Sequence, residues 1–258
     1  MAKRAMAKKV SVKDLRKQVA LSCRILGARG VTKGSFGHVS VRIPGTDRIL
    51  IKAKGPDEEA LEFARERDII TIDLDGKVLE APKGLDSPNE TAMHLAVYRK
   101  RPEVQSVIHT HPDWVVALTA CDKPLLPIYA AYNPPGLRLL IEGIPVYQRS
   151  VTIVDDELGE DFMRAMGDKK VCLLTGHGMT TAGSSVEEAT LISLNVFELA
   201  RMNYLAYAIG DPKPIPQQDL EEYKQRWARG QRARLQGPSS TGEHADWRYN
   251  VKLLKKSA

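Results

Sequence analysis

Hydrophobic residues along this chain fall into short alternating runs separated by longer stretches of helical period, the pattern of a mixed α and β domain. Leu15, Val19, Leu21, Ile25 and Leu26 give one apolar side to a helix predicted from an N-cap at Ser11 to about residue 28, where Arg29-Gly30 ends it. Residues 39–43 and 48–53, joined by Pro44-Gly45-Thr46-Asp47, predict a hairpin. The run 69–74 reverses at Asp75-Gly76 into a partner over 77–79, and 57–67 between them reads as short helical or irregular. Ser87 is the predicted N-cap of a helix to about residue 100, with Pro88 at N1 and Glu90 in its first turn. Further strands are predicted over 104–109 and 170–175, and helices over 112–120, 155–166, 186–209 and 218–235. Residues 124–145, rich in proline and glycine, read as irregular with short strands. Residues 237–242 read as a flexible link to a tail that carries His244, Trp247 and Tyr249. Hairpins mixed with helices, with no internal repeat, predict a single domain over 1–258 built as a three-layer α/β/α sandwich on a largely antiparallel sheet.

Composition changes this picture little. No apolar run approaches the roughly 20 residues that span a bilayer, so a membrane protein is not expected. The basic N-terminus lacks the apolar core of a signal peptide and reads as a frayed tail, which predicts a cytoplasmic protein. Cys23, Cys121 and Cys172 are far apart in largely apolar stretches and read as buried free thiols. The net charge of +6 is concentrated at Lys3 to Lys9 and Lys252 to Lys256, with no basic stripe interleaved with aromatics, which argues against nucleic acid. A basic balance agrees with an anionic small-molecule substrate.

The chemistry gathers at Ser106-Val107-Ile108-His109-Thr110-His111-Pro112, an apolar strand that ends in two histidines. In an extended segment residues i and i+2 point to the same side, so both imidazoles reach one centre while Thr110 faces away. Two neutral histidines at a strand end suit a divalent cation, although an exposed pair in a turn is the alternative. His177 lies between Gly176 and Gly178 after the second apolar strand, where the backbone is free to approach a ligand, or simply to turn. Glu90 adds a carboxylate, whose plainer role is to face a helix dipole. Three imidazoles and one carboxylate form a common set for a catalytic divalent cation. His94 shares a helical face with Glu90 and reads as a packing or hydrogen-bonding residue more than as a further ligand.

Order and spacing resemble the class II aldolase/adducin family, the metal-dependent sugar-phosphate aldolases and their relatives. The matching pieces are Gly37-His38-Val39-Ser40, Ile51-Lys52-Ala53-Lys54-Gly55, Glu90 with His94, His109-Thr110-His111-Pro112 and His177-Gly178, and the likeness covers about 11–210. The resemblance implies that His109, His111 and His177 hold one divalent ion per subunit (Zn, Mn, Fe or Co) and that Glu90 is the catalytic acid/base. It also implies a tetramer with active sites between subunits, in which Tyr129 or Tyr132 reaches a neighbour's site and residues of the 216–258 tail help close one.

The sequence departs from the aldolases where they bind phosphate. Their Gly-Asn-x-Ser is Gly37-His38-Val39-Ser40 here, and the paired serines before the glutamate are Pro88 and Asn89. Proline carries neither N–H nor hydroxyl, so two phosphate donors are lost. What remains, Gly37, His38, Ser40, Lys54, Gly55 and Asn89, suits a carboxylate at least as well. His38 either satisfies a backbone carbonyl beside Ser40 or faces the pocket as a proton-handling group. The variant resembles the branch that decarboxylates hydroxylated aromatic or pyridine dicarboxylates. The expectation is therefore a metal-dependent lyase, decarboxylating rather than aldol-cleaving, with a non-catalytic adducin-like module as the rival.

Overall fold

The computed structural model describes residues 10–236 and 245–256. The basic N-terminal tail, the glycine-rich link and His244 lie outside the described residues. An eight-stranded sheet carries the molecule, in the order β4-β3-β2-β1-β5-β8-β7-β6. Its strands are β1 (His38–Arg42), β2 (Arg48–Lys52), β3 (Ile69–Asp73), β4 (Val78–Glu80), β5 (Ser106–Thr110), β6 (Val146–Tyr147), β7 (Val171–Leu174) and β8 (Gly178–Gly183). Every pairing is antiparallel except β6 with β7.

Helices cover both faces. They are α1 (Val12–Ala28), α2 (Thr91–Lys100), α3 (Asp113–Ala120), α4 (Pro134–Glu142), α5 (Asp156–Met166), α6 (Val186–Ile209), α7 (Gln217–Gln236) and α8 (Ala245–Lys256). The period-two alternation of the strands decides which side chain meets which layer. Leu50 and Ile108 join α1 and α6 in one core, whereas Ile49, Ile51 and Val107 join α2 and α5 in the other. The expected three-layer α/β/α sandwich on a mostly antiparallel sheet is the architecture found. Among the described residues no helix is long and apolar enough to cross a membrane.

Four expectations are corrected. Ser87 does not cap α2. Asp86 exchanges both backbone hydrogen bonds with Lys54, at 2.9 Å each, so its backbone groups are committed to a bridge and the helix starts at Thr91 with Glu90 as the N-cap residue. Residues 134–142 are helical, not irregular: the Asn133 side chain accepts from the Gly136 N–H and two prolines occupy the first turn. In the tail, residues 245–256 form a helix that buries Trp247 in this chain's own core rather than over a site, while Tyr249 stays exposed. Cys121 is exposed at the C-terminal end of α3, whereas Cys23 and Cys172 are buried as expected.

Candidate metal centre

Three strands and one helix start converge on His109. It stands one residue before the end of β5 with no exposed surface, paired across the sheet with His38 on β1 and Thr180 on β8. His111 follows two residues later on the same side. The turn 175–177 between β7 and β8 then brings in His177, and Glu90 arrives from the opposite layer at the start of α2. One ligand atom from each of Glu90, His109, His111 and His177 lies within 4.8 Å of all the others.

The four groups stand close enough to share one centre. His109 Nε2 stands 2.8 Å from His111 Nε2 and 3.2 Å from Glu90 Oε2, and His177 Nε2 lies 3.5 Å from Glu90 Oε1. The Ile153 N–H donates to Glu90 Oε1 at 3.2 Å, fixing the carboxylate from a second direction. Behind His109, Thr180 donates its hydroxyl proton to Met93 Sδ, so its oxygen is left to accept from His109 Nδ1 at 3.1 Å. That arrangement protonates Nδ1 and turns the Nε2 lone pair to the centre, as a metal-ligating histidine requires. Three imidazole nitrogens and a carboxylate in this geometry fit one divalent cation.

Electrostatics agree. Burial acts to raise the Glu90 pKa, but the hydrogen bond and charge of His109, then the hydrogen bond of His177 and the charge of His38, outweigh it and hold the carboxylate well below the usual range. Burial, then the neighbouring His109 and His177, push His111 down to about 3 against the opposing pull of Glu90. Burial, then His94 and His109, lower His38 well below the ordinary histidine value. His38 and His111 are therefore held as neutral imidazoles beside an ionised carboxylate, the protonation state a cation needs.

Glycine makes the close approach possible. A Cβ on Gly178 would lie 2.3 Å from the Thr110 carbonyl oxygen and 2.9 Å from His111 Cδ2, and one on Gly37 would lie 2.9 Å from the His109 carbonyl oxygen. Gly178→Ala is expected to cost about 1–3 kcal/mol by forcing β8 away from β5. A lower urea midpoint with weakened metal retention would show it, and an unchanged midpoint would refute the constraint.

The other sequence-derived positions distribute around this centre. Lys54 Nζ bonds Asn89 Oδ1, held there by the Lys54–Asp86 bridge, so the cation and the amide stand one residue from Glu90. Gly55 has φ +145°, and a Cβ there would meet the Gly84 carbonyl oxygen at 2.1 Å. Ser40 is fully buried, its hydroxyl engaged with His94, Tyr98 and the Val107 carbonyl. Among the described residues His38 bonds no backbone carbonyl; its Nδ1 meets His94 Nε2 at 2.8 Å, and His94 stays outside the metal-ligand group. Tyr132 is exposed and donates to Glu198 at 2.6 Å, with the Tyr129 ring 5.3 Å away, both on the α4 and α6 side. A cavity of about 520 Å³ opens beside His111, walled by Thr32, Phe36, Val116 and Ala117. A larger one of about 770 Å³ lies between α4, α6 and α7 and contains none of the four ligand groups.

Sequence reasoning missed Thr180, Met93 and Tyr98. Tyr98 carried a signal, since Glu90, His94 and Tyr98 recur every four residues on one helical face. Thr180 carried none, because β8 is too rich in glycine, threonine and alanine to show as a strand.

The profile of the class II aldolase and adducin N-terminal domain matches residues 17–204. A 3,4-dihydroxyphthalate decarboxylase of Arthrobacter keyseri is 39% identical over 211 residues, covering 80% of this chain and 85% of the relative. An L-fuculose phosphate aldolase of Escherichia coli is 29% identical, with 78% and 87% covered. The crystal structure of an aldolase II superfamily protein from Pseudomonas syringae superposes with a TM-score of 0.81 at 22% identity, over 98% of this chain and 96% of that one.

Proposed function

The chain belongs to the class II aldolase and adducin family, and from that membership we propose a divalent-metal-dependent carbon–carbon lyase that decarboxylates a hydroxylated aromatic (or pyridine) carboxylic acid. The observation that carries the decarboxylase reading is the 39% identity to a dihydroxyphthalate decarboxylase across four-fifths of the chain, against 29% to the sugar-phosphate aldolase. The pocket residues agree. Lys54, Asn89 and the backbone at Gly37 and Gly55 offer a cation and donors to a carboxylate, without the paired serines of a phosphate cradle.

His109, His111 and His177 hold the cation in this reading, drawn from Zn, Mn, Fe and Co. Bound there, it supplies a Lewis acid that stabilises negative charge on a substrate oxygen. Glu90 takes the proton of the ring hydroxyl next to the carboxylate and returns it to the ring carbon bearing that carboxylate. The ring carbon is then tetrahedral beside a carbonyl. Its bond to the carboxylate breaks, the electron pair returns to the ring oxygen, and CO2 leaves. His38 is the second proton-handling group, and Lys54 with Asn89 binds the remaining carboxylate. The protein works in the cytoplasm as a homo-oligomer, a tetramer with Tyr129 or Tyr132 entering a neighbouring subunit's site.

A panel of hydroxyphthalates, hydroxypyridine carboxylates and sugar phosphates, assayed for CO2 and for aldehyde, tests the reaction. Release of CO2 from the hydroxy acids is expected. Turnover of phosphorylated sugars alone would overturn the reading.

A further inference from the structure

Behind the metal centre lies a hydrogen-bond chain that no ligand role explains. Tyr98, buried on α2, meets Ser40 Oγ at 2.7 Å, Ser40 Oγ meets His94 Nδ1 at 2.7 Å, and His94 Nε2 meets His38 Nδ1 at 2.8 Å. Ser40 Oγ also lies 3.2 Å from the Val107 carbonyl. Ser40 and His94 have no exposed surface and Tyr98 is 1% exposed, so each polar atom must find its partner inside the chain.

Burial keeps the His38 and His94 rings neutral, and with neutral rings only one assignment of protons turns all four contacts into hydrogen bonds. The Val107 carbonyl can only accept, so Ser40 donates to it. With its single proton spent, Ser40 accepts from the Tyr98 hydroxyl and from His94 Nδ1–H. His94 Nε2 then carries a lone pair and accepts from His38 Nδ1–H. The reverse direction would set a serine lone pair against the Val107 carbonyl oxygen. His38 Nε2 has no hydrogen bond to any described residue, and the His38 ring lies against His109 with centroids 5.4 Å apart.

We propose that Tyr98, Ser40 and His94 are positioning residues that hold His38 with Nδ1 protonated and Nε2 bare, so that His38 accepts a hydrogen bond from a second ring hydroxyl of the substrate. The hydroxyl half rests on the decarboxylase reading; the tautomer half does not. A bare nitrogen repels a carboxylate oxygen or a methoxy oxygen and rewards an O–H. The site therefore favours acids that carry a second ring hydroxyl within reach of His38, beside the one handled by Glu90.

Solid-state 15N NMR of the histidine-labelled, zinc-loaded enzyme reads the tautomer without turnover. Nδ1–H is expected for both His38 and His94, and Nε2–H on His38 in the wild type overturns the proposal. His94→Gln keeps an acceptor for His38 and a donor for Ser40, so it should preserve the His38 tautomer, whereas His94→Leu should lose it. Ser40→Ala, a smaller change, should weaken it if His94→Leu does not fold.

Binding of 2,3-dihydroxybenzoate against 2-hydroxybenzoate tests the second half, since both retain the hydroxyl next to the carboxylate. The wild type and His94→Gln should prefer the dihydroxy acid about tenfold, one good hydrogen bond's worth, and His94→Leu should lose that preference. A preference unmoved by His94→Leu overturns the role of His38. Failure of both benzoates to bind while the tautomer holds overturns the decarboxylase reading and the hydroxyl half, and leaves the proton assignment standing.

Discussion

Alanine at His109, His111 or His177 is expected to strip the divalent ion and lower the lyase rate on the order of 1,000-fold or more, since one lost ligand removes the group that stabilises the developing oxyanion. His109→Ala should be the most severe. It deletes the imidazole in contact with both His111 and Glu90, and leaves the Thr180 oxygen without its donor in a fully buried place. Metal content by elemental analysis, paired with steady-state rates, checks this. A variant that lost its ion yet kept its rate would remove the cation from the reaction.

Acid should reproduce the loss reversibly. His111 and His94 both fall to about 3 in the fold, from an ordinary value of 6.5, through burial and then neighbouring imidazoles. Between those values the unfolded chain binds more protons than the folded one, so stability is complete above about pH 6.5 and declines as pH falls toward 3. Glu90, held below its ordinary 4.5, adds to the decline at the acid end of that window. Bound metal competes with the same protons, so its release should follow the same direction. Urea midpoints of the metal-free protein at pH 7.5 and pH 5 measure the first effect. A midpoint that rose on acidification would contradict it.

The centre was readable because its ligands stand where simple periodicities end. Two histidines two apart on an apolar strand must share a side, and a histidine between glycines after another such strand marks a tight reversal. Glu90 was found for its chemistry and misplaced in its structure. The sequence Ser87-Pro88-Asn89-Glu90 has every local mark of a helix start, but Asp86 is tied to Lys54, thirty-two residues earlier in the chain, and local propensity yields to that bridge. The same bridge aligns Lys54 with Asn89, a placement no local signal could give. β8 stayed hidden because its residues earn their place by smallness: Gly183 has the Ala189 backbone 2.7 Å from its would-be Cβ, and Gly178 has Thr110. The α4 start, by contrast, was legible. Asn133-Pro134-Pro135 is an N-cap followed by first-turn prolines, although the richness in proline reads as irregular backbone rather than as the beginning of a helix.

Glu90→Gln separates the proton from the metal. Glutamine keeps the size and an oxygen to accept from the Ile153 N–H, and all three histidines remain, so the ion should stay bound. What is lost is a carboxylate able to carry a proton from the ring oxygen to the ring carbon. General acid–base groups contribute roughly 10²–10⁴-fold, and a drop in kcat of that order is expected with KM little changed. In the proposed reaction Glu90 delivers the proton to the carbon that loses CO2, so the wild-type enzyme in D2O should also exchange the hydrogen at that carbon of the decarboxylated product, Glu90 adding a deuteron to the ring carbon and then removing the proton. Glu90→Gln should abolish this exchange while His38→Gln only slows it. Exchange that survives in Glu90→Gln would move the acid/base role to His38 and leave Glu90 as an electrostatic partner of the histidine cluster.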